Sequence, residues 1–410
     1  MIDLIIRNAG QILTCTVPDE DPPYAGALQG ELGITEGGVE IHKGRIVAVG
    51  PEAGQGRAHR IINAQGGVVL PGFVDCHTHA VFAGNRAEEL EERARGVSYE
   101  EITRRGGGIL SSVRALRAAS DKELGQAVMR HLDAFLDMGT TTIEAKSGYG
   151  LSIEDEIRSL KALGRRHPVE VVRTCLAGHT VPEEFADQRE AYVNLVCKRI
   201  LPTVAEEGLA DYCDVFCEKG VFSFEEAQQM LEAGKAVGLR PRIHADQLRR
   251  TGGCRIACRV GAITADHIEY ASRGDAVAMK EAGVIGVLLP AANHVLDQAQ
   301  RPATRMMIPC GLPLALGTDF NPGTAPTQSM PLTIHLAVVR FQMSVAEAIV
   351  AATINAACAV ERQGRIGSLE PEKQADVILC DIDDYHGLGY WFGRNPVHTV
   401  IKKGKVVVEG

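Results

Sequence analysis

An alternation constrains this chain most. Eight short β-forming runs, at residues 68–74, 140–145, 169–176, 210–216, 241–245, 262–268, 284–289 and 313–318, are separated by stretches with helical periodicity such as 124–136, 153–163 and 224–237. Strands separated by helices pair in parallel, because each return crossing carries the helix, and eight such units predict a closed (β/α)8 TIM barrel. Functional side chains of such a barrel gather at the C-terminal ends of its strands. The two ends of the chain read differently. Residues 1–66 and 364–410 carry short β-forming runs with turn signals at Gly37-Gly38, Lys43-Gly44 and Lys402-Lys403-Gly404-Lys405. The economical arrangement is a small β-sandwich domain assembled from both termini (1–66 plus 364–410), with the barrel domain, 67–363, inserted between its halves.

Charge and cysteine content exclude several function classes. The net charge is -9, and lysine and arginine are scattered without a basic stripe, so nucleic acid is not an expected partner. No apolar run reaches the length of a membrane span, and Met1-Ile2-Asp3-Leu4-Ile5-Ile6-Arg7 lacks the basic start and apolar core of a secretion signal. A cytoplasmic protein without a membrane partner is expected. Eleven cysteines lie between Cys15 and Cys380, and the C-x3-C spacings Cys213/Cys217 and Cys254/Cys258 do not fit a zinc knuckle. They read as reduced, buried thiols.

The first run ends in His77-Thr78-His79. Side chains alternate along a strand, so His77 and His79 share a face, where two imidazoles can grip one divalent ion. Later strand ends supply His244, His267 and Asp319. The expected ligands are His77, His79, His244 and Asp319. This nitrogen-rich set with one carboxylate suits a single Zn2+ or Fe2+. His267 reads either as a further ligand or, preferably, as a proton-handling group oriented by Asp319. A barrel mouth is concave, so water and substrate can reach such an ion, unlike the closed shell of a structural metal.

These elements resemble the amidohydrolase superfamily and, within it, the imidazolonepropionase family. The resemblance covers essentially the whole chain. It is carried by residues 71–79, by Phe82-Ala83-Gly84-Asn85-Arg86, by Gly106-Gly107-Gly108-Ile109-Leu110-Ser111-Ser112-Val113 and Arg117-Ala118-Ala119-Ser120, and by residues 144–151, Gly178-His179 and residues 318–324. It implies hydrolysis of the ring C–N bond of 4-imidazolone-5-propanoate to N-formimidoyl-L-glutamate in histidine degradation, by a homodimer. His267 and Asp319 would relay the proton. Arg86, with Tyr149, would anchor the substrate's carboxylate tail; His179 would contact the ring; Asn321, Gly323 and Thr324 would contact the formimidoyl-glutamate portion. One position departs from some members: Gln247 stands where they carry glutamate, and an amide is not a general base. Gln247 is therefore expected to hydrogen-bond the substrate.

Binuclear relatives often carry a carboxylated lysine in strand four; 210–216 holds none, so the resemblance favours one metal over two, although Lys146 ends strand two. Two other readings stand beside this one. A cyclic amidase or aminohydrolase of the same superfamily would act on a neutral ring and would not need Arg86. A non-catalytic barrel with a structural metal would unfold when the metal is removed. Gly106-Gly107-Gly108 fits either a mobile lid or a tight turn.

Overall fold

The computed structural model describes residues 1–410, apart from the side chains of residues 99 and 100. Five strands open the chain: β1 (Ile2–Leu13), β2 (Ile34–His42), β3 (Arg45–Gly50), β4 (Ala58–Asn63) and β5 (Val68–Pro71). Eight follow in the middle: β6 (Phe73–Thr78), β7 (Thr140–Lys146), β8 (Glu170–Gly178), β9 (Tyr212–Cys217), β10 (Arg240–Ala245), β11 (Thr264–His267), β12 (Ile285–Leu288) and β13 (Leu314–Leu316). β14 (Val377–Cys380), β15 (Val397–Lys402) and β16 (Lys405–Glu409) end it.

β6 to β13 pair in chain order. The barrel closes where the chain beyond β13 meets β6: Thr78 bridges Phe320, Asp319 N–H donates to the His77 carbonyl at 3.0 Å, and His79 N–H donates to the Phe320 carbonyl at 2.8 Å. Three of the expected metal ligands, His77, His79 and Asp319, thus sit on one hydrogen-bonded seam. The intervening helices start on capping signals. Ser120 with Glu123, and Ser223 with Glu226, form reciprocal caps on Asp121–Asp137 and Phe224–Ala236. The first of these buries Leu124, Val128, Leu132 and Phe135.

The two chain ends form one continuous eight-stranded sheet. β5 joins the halves, pairing parallel with β1 and antiparallel with β14. This sheet has its own apolar core, including Ile6, Ile12, Ile41, Val69, Val377 and Ile401.

The run at 68–74, expected as one strand, is two strands in two sheets. The chain changes sheet at Gly72, where a Cβ would lie 2.4 Å from Thr141 Cγ2. Gly106-Gly107-Gly108 is a packed turn: a Cβ on Gly107 would lie 2.6 Å from Ile102 Cγ2, and Gly108 N–H donates to Glu89 Oε1 at 2.9 Å. All eleven cysteines are free thiols, mostly buried. No described helix is long and apolar enough to cross a membrane.

Candidate metal centre and substrate cavity

Beneath the barrel mouth, β6 supplies His77, and His79 follows it; β10 supplies His244, β11 His267, and the turn after β13 Asp319. His77, His79 and Asp319 offer ligand atoms within 4.8 Å of one another, as do His77, His244 and His267. The edges are informative. Asp319 Oδ1 lies 3.4 Å from His77 Nε2 and 3.3 Å from His79 Nε2, and the His79 and His244 Nε2 atoms are 3.4 Å apart. A tetrahedral ion held at about 2.1 Å spaces its ligand atoms about 3.4 Å apart. His77 Nε2 is buried without a hydrogen-bond partner, as a nitrogen reserved for a cation would be.

The opposite faces of two of these rings are fixed. His77 Nδ1 donates to Asp266 Oδ2 at 2.6 Å, and His244 Nδ1 donates to Asp214 at 3.1–3.2 Å. Each bond directs Nε2 toward the cage. Both carboxylates belong to a fully buried ionic layer. Lys146 Nζ lies 2.8 Å from Asp214 and 2.8 Å from Glu144, and Arg242 Nη2 lies 3.6 Å from Asp266. Lys146 is thereby committed to ion pairs and is not free to act as a second-metal ligand.

Protonation follows this geometry. Burial pulls His244 down to about 3 and also lowers His79, leaving both rings in the neutral, ligating form. Burial also lowers His77, as does Lys146, but Asp266 and Asp319 outweigh them and push it up to about 9, so a proton stands where a cation would bind. Burial would raise Asp319, yet the His77 and His79 rings beside it, 3.4 and 3.3 Å away, hold it well below the usual carboxylate range.

Above the cage lies a narrow cavity, partly open to solvent. Its wall includes His79, Arg86, Tyr149, His179, His244, Gln247, His267, Asp319, Asn321 and Thr324. All but two of the residues expected from the sequence therefore line one space. His77 lies buried beneath it. Gly323 sits behind Arg86: a Cβ there would lie 2.2 Å from the guanidinium Nη1. Its glycine makes room for arginine and is not mere turn chemistry.

The wall residues are positioned by loops. Arg86 is nearly buried, with Nη2 2.7 Å from Glu89. Glu156 Oε1 accepts from Gly148, Gly150 and Leu151 N–H at 2.8–3.2 Å and so shapes the loop that carries Tyr149. His179 donates from Nδ1 to the Gly148 carbonyl at 3.0 Å, and burial holds its pKa well below the ordinary value. Gln247 is pinned from both sides. Asp246 accepts from Thr251, Gly252 and Cys254 N–H, while Glu218 accepts from Leu248 N–H at 2.8 Å. The Asn321 amide is consumed within its own turn, bonding the Asp319 carbonyl and the Gly323 and Thr324 N–H groups, so it shapes the loop.

The carboxylate facing His267 Nδ1 is Glu269, at 3.8 Å, rather than Asp319. Sequence reasoning named neither Glu269 nor Asp214 and Asp266. The signal for the last two was available as charges inside apolar strand runs. Of the apolar wall residues, Phe216, Leu248 and Leu296 carried no signal, and Ile109 only its place in a segment that carries the resemblance.

Residues 68–407 match the amidohydrolase family. An imidazolonepropionase from Solibacter usitatus is 47% identical, covering 99% of both chains. One from Geobacillus thermodenitrificans is 46% identical, covering 100% of this chain and 98% of the other. Among solved structures, an adenosine deaminase from Xanthomonas campestris with bound zinc aligns with a TM-score of 0.69 at 18% identity, covering 100% of this chain and 93% of that one. A triazine hydrolase variant aligns at 0.72 and 17%, covering 99% and 94%. At such identities the structures speak for the fold alone.

Proposed function

The chain belongs to the amidohydrolase family, and on that premise we propose that it hydrolyses the ring C–N bond of 4-imidazolone-5-propanoate, giving N-formimidoyl-L-glutamate in histidine degradation. The observation that carries this reading is one cavity holding both a His/Asp cage and a nearly buried guanidinium. A ring amide needs the first, and an acidic tail needs the second. A neutral purine or pyrimidine would leave Arg86 without a ligand partner.

In this reading His77, His79, His244 and Asp319 hold one divalent ion, Zn2+ or Fe2+. Such an ion supplies Lewis acidity, polarising a carbonyl and making water acidic near neutral pH. Arg86 and Tyr149 hold the propanoate, and the bidentate fork of Arg86 fixes its direction. His179, stacked 5.1 Å from His79, meets the ring. Gln247 hydrogen-bonds the ring without acting as a base. Thr324 meets the product's formimidoyl-glutamate portion, in a turn shaped by Asn321 and made possible by Gly323. Water adds across the C–N bond: its oxygen goes to the carbonyl carbon, and its proton passes through His267 and Asp319 to the departing nitrogen. The protein works in the cytoplasm as a homodimer, and the exposed Tyr390, Trp391 and Phe392 form an apolar surface that a second copy would cover. Light scattering in solution tests that mass.

The deciding assay generates the substrate in situ with urocanase and follows its decay by ultraviolet absorbance, identifying the product by mass. Metal-dependent formation of N-formimidoyl-L-glutamate well above the spontaneous rate is expected. No acceleration by a metal-loaded sample would overturn the assignment.

A further inference from the structure

Beside His267, two buried polar groups face each other with no hydrogen-bond partner among the described residues. His267 Nδ1 has no hydrogen bond, and neither carboxyl oxygen of Glu269 has one. The two side chains are essentially inaccessible, and Nδ1 lies 3.8 Å from Glu269 Oε1. Burying a carboxyl group with nothing to bond is costly, and so is burying an imidazole nitrogen. Two such orphans at this separation are natural mates, needing a shift of less than an ångström to reach hydrogen-bond distance.

The backbone is built to bring them together. β11 ends at His267, and then His267 (φ +78°) and Ile268 (φ +57°) both adopt the left-handed region, which a β-branched residue seldom enters. That reversal turns the chain so that Glu269 comes back beside the ring. It is held there by Ile268 N–H on the Ala245 carbonyl at 3.0 Å, by Tyr270 N–H on the Asp246 carbonyl at 3.1 Å, and by Gln300 Nε2 on the Glu269 carbonyl at 2.8 Å. Strained backbone that its surroundings over-determine is a mark of a functional position.

We infer that Glu269 is the positioning residue of His267: it accepts Nδ1–H, fixes the ring's tautomer, and leaves the Nε2 lone pair facing the cavity. Among the described residues no other group bonds or pairs with the carboxyl oxygens, so this is the bond open to them. With Nδ1 protonated, Nε2 takes a proton from the attacking water and returns it to the departing nitrogen, and the ring is neutral again at the end. With the opposite tautomer, Nε2–H would point into the cavity and could not accept. Glu269 touches neither substrate nor metal; it acts through His267. This deepens the proposed function, and only the kinetic part of the test rests on that reading.

The test has two arms. In the full-length, zinc-loaded protein with ring-15N-labelled histidine, NMR reads the tautomer of His267, assigned by comparison with His267→Asn. A neutral ring protonated at Nδ1 is expected, and a proton on Nε2 would overturn the inference. In the kinetic arm, Glu269→Leu lowers kcat by about 10²-fold or more, the loss of one proton-transfer group. KM and bound metal stay within about twofold, since neither contact is touched. Glu269→Gln keeps an acceptor oxygen and recovers kcat to within about tenfold of the parent. Parental kcat in Glu269→Leu would sink the proposal. If Glu269→Leu does not fold, the Gln variant and the tautomer of the parent protein still decide it. If the parent itself does not turn over the imidazolone, the proposed function fails, and the tautomer still judges Glu269.

Discussion

The floor and the wall of the cavity are built by opposite means. On the floor, His77 and His244 project inward from opposite sides of one closed sheet, β6 and β10, and their far nitrogens are tied to Asp266 and Asp214. Those carboxylates are in turn tied to Lys146 and Arg242 in a layer without solvent. On the wall, Arg86, Tyr149, Gln247 and Thr324 come from loops that follow strands or precede helices, and each is held by a few local bonds. A floor of this kind pre-organises charge and cannot adapt. A wall of this kind can vary without disturbing the sheet. The chemistry should therefore belong to the floor and the choice of substrate to the wall.

The largest expected effect breaks the floor outright. His244→Ala removes a candidate ligand and leaves Asp214 with Lys146 and the Val215 N–H; bound metal should fall below stoichiometry and turnover by about 10³-fold or more, the several kcal/mol a Lewis acid contributes. Metal analysis beside the coupled assay checks this. Chelation of the parent protein should abolish activity and leave a cooperative unfolding transition, because the terminal sheet has its own core and the ionic layer its own pairs. A chelated sample that unfolds would put the metal in a structural role.

A milder change probes how the floor is tuned. Asp266→Asn keeps the shape but weakens the acceptor on His77, and metal affinity should fall about 10- to 100-fold, as for other outer partners of metal-bound histidine. KM for any substrate captured by the wall should move little. Competition with a chromophoric chelator reads the affinity. If instead KM rises and metal affinity holds, the division between floor and wall is wrong. Arg86→Met makes the converse cut. Losing charge-assisted bonds to a carboxylate is worth about 1.5–3 kcal/mol, so KM should rise roughly 10- to 100-fold, with metal content unchanged. A neutral-ring substrate would show no such rise.

How much of this the sequence discloses follows the same division. The eight strands were legible because each is a compact β-forming run between helical stretches. The cage was legible because strand ends in a barrel converge whatever their distance in the chain. The split of residues 68–74 between two sheets was not, since Val68 to Val74 are buried on every face and no change of period marks Gly72. The ionic layer was hidden for another reason. Glu144, Lys146, Asp214, Arg242 and Asp266 lie on four strands, and only barrel closure decides which charge meets which. Arg86 was found through resemblance, but its pairing with Glu89 and its bed on Gly323 needed coordinates.

The smallest and cleanest contrast uses one methyl group on each side. Gly317 lies under the floor, where a Cβ would stand 2.9 Å from His77 Cβ and 3.1 Å from His77 N. Its neighbour is a strand that cannot yield, so Gly317→Ala should cost about 1–3 kcal/mol of overpacking, seen as a lower melting temperature and weaker metal binding. Gly323→Ala presses on the guanidinium of Arg86, the far end of a flexible side chain, which can swing aside. That variant should keep its stability and its metal and raise KM only about two- to fivefold, less than the whole charge-assisted contact is worth. If the two alanines behave alike, the rigidity of the floor is not what separates it from the wall, and the ionic layer alone would have to account for the difference.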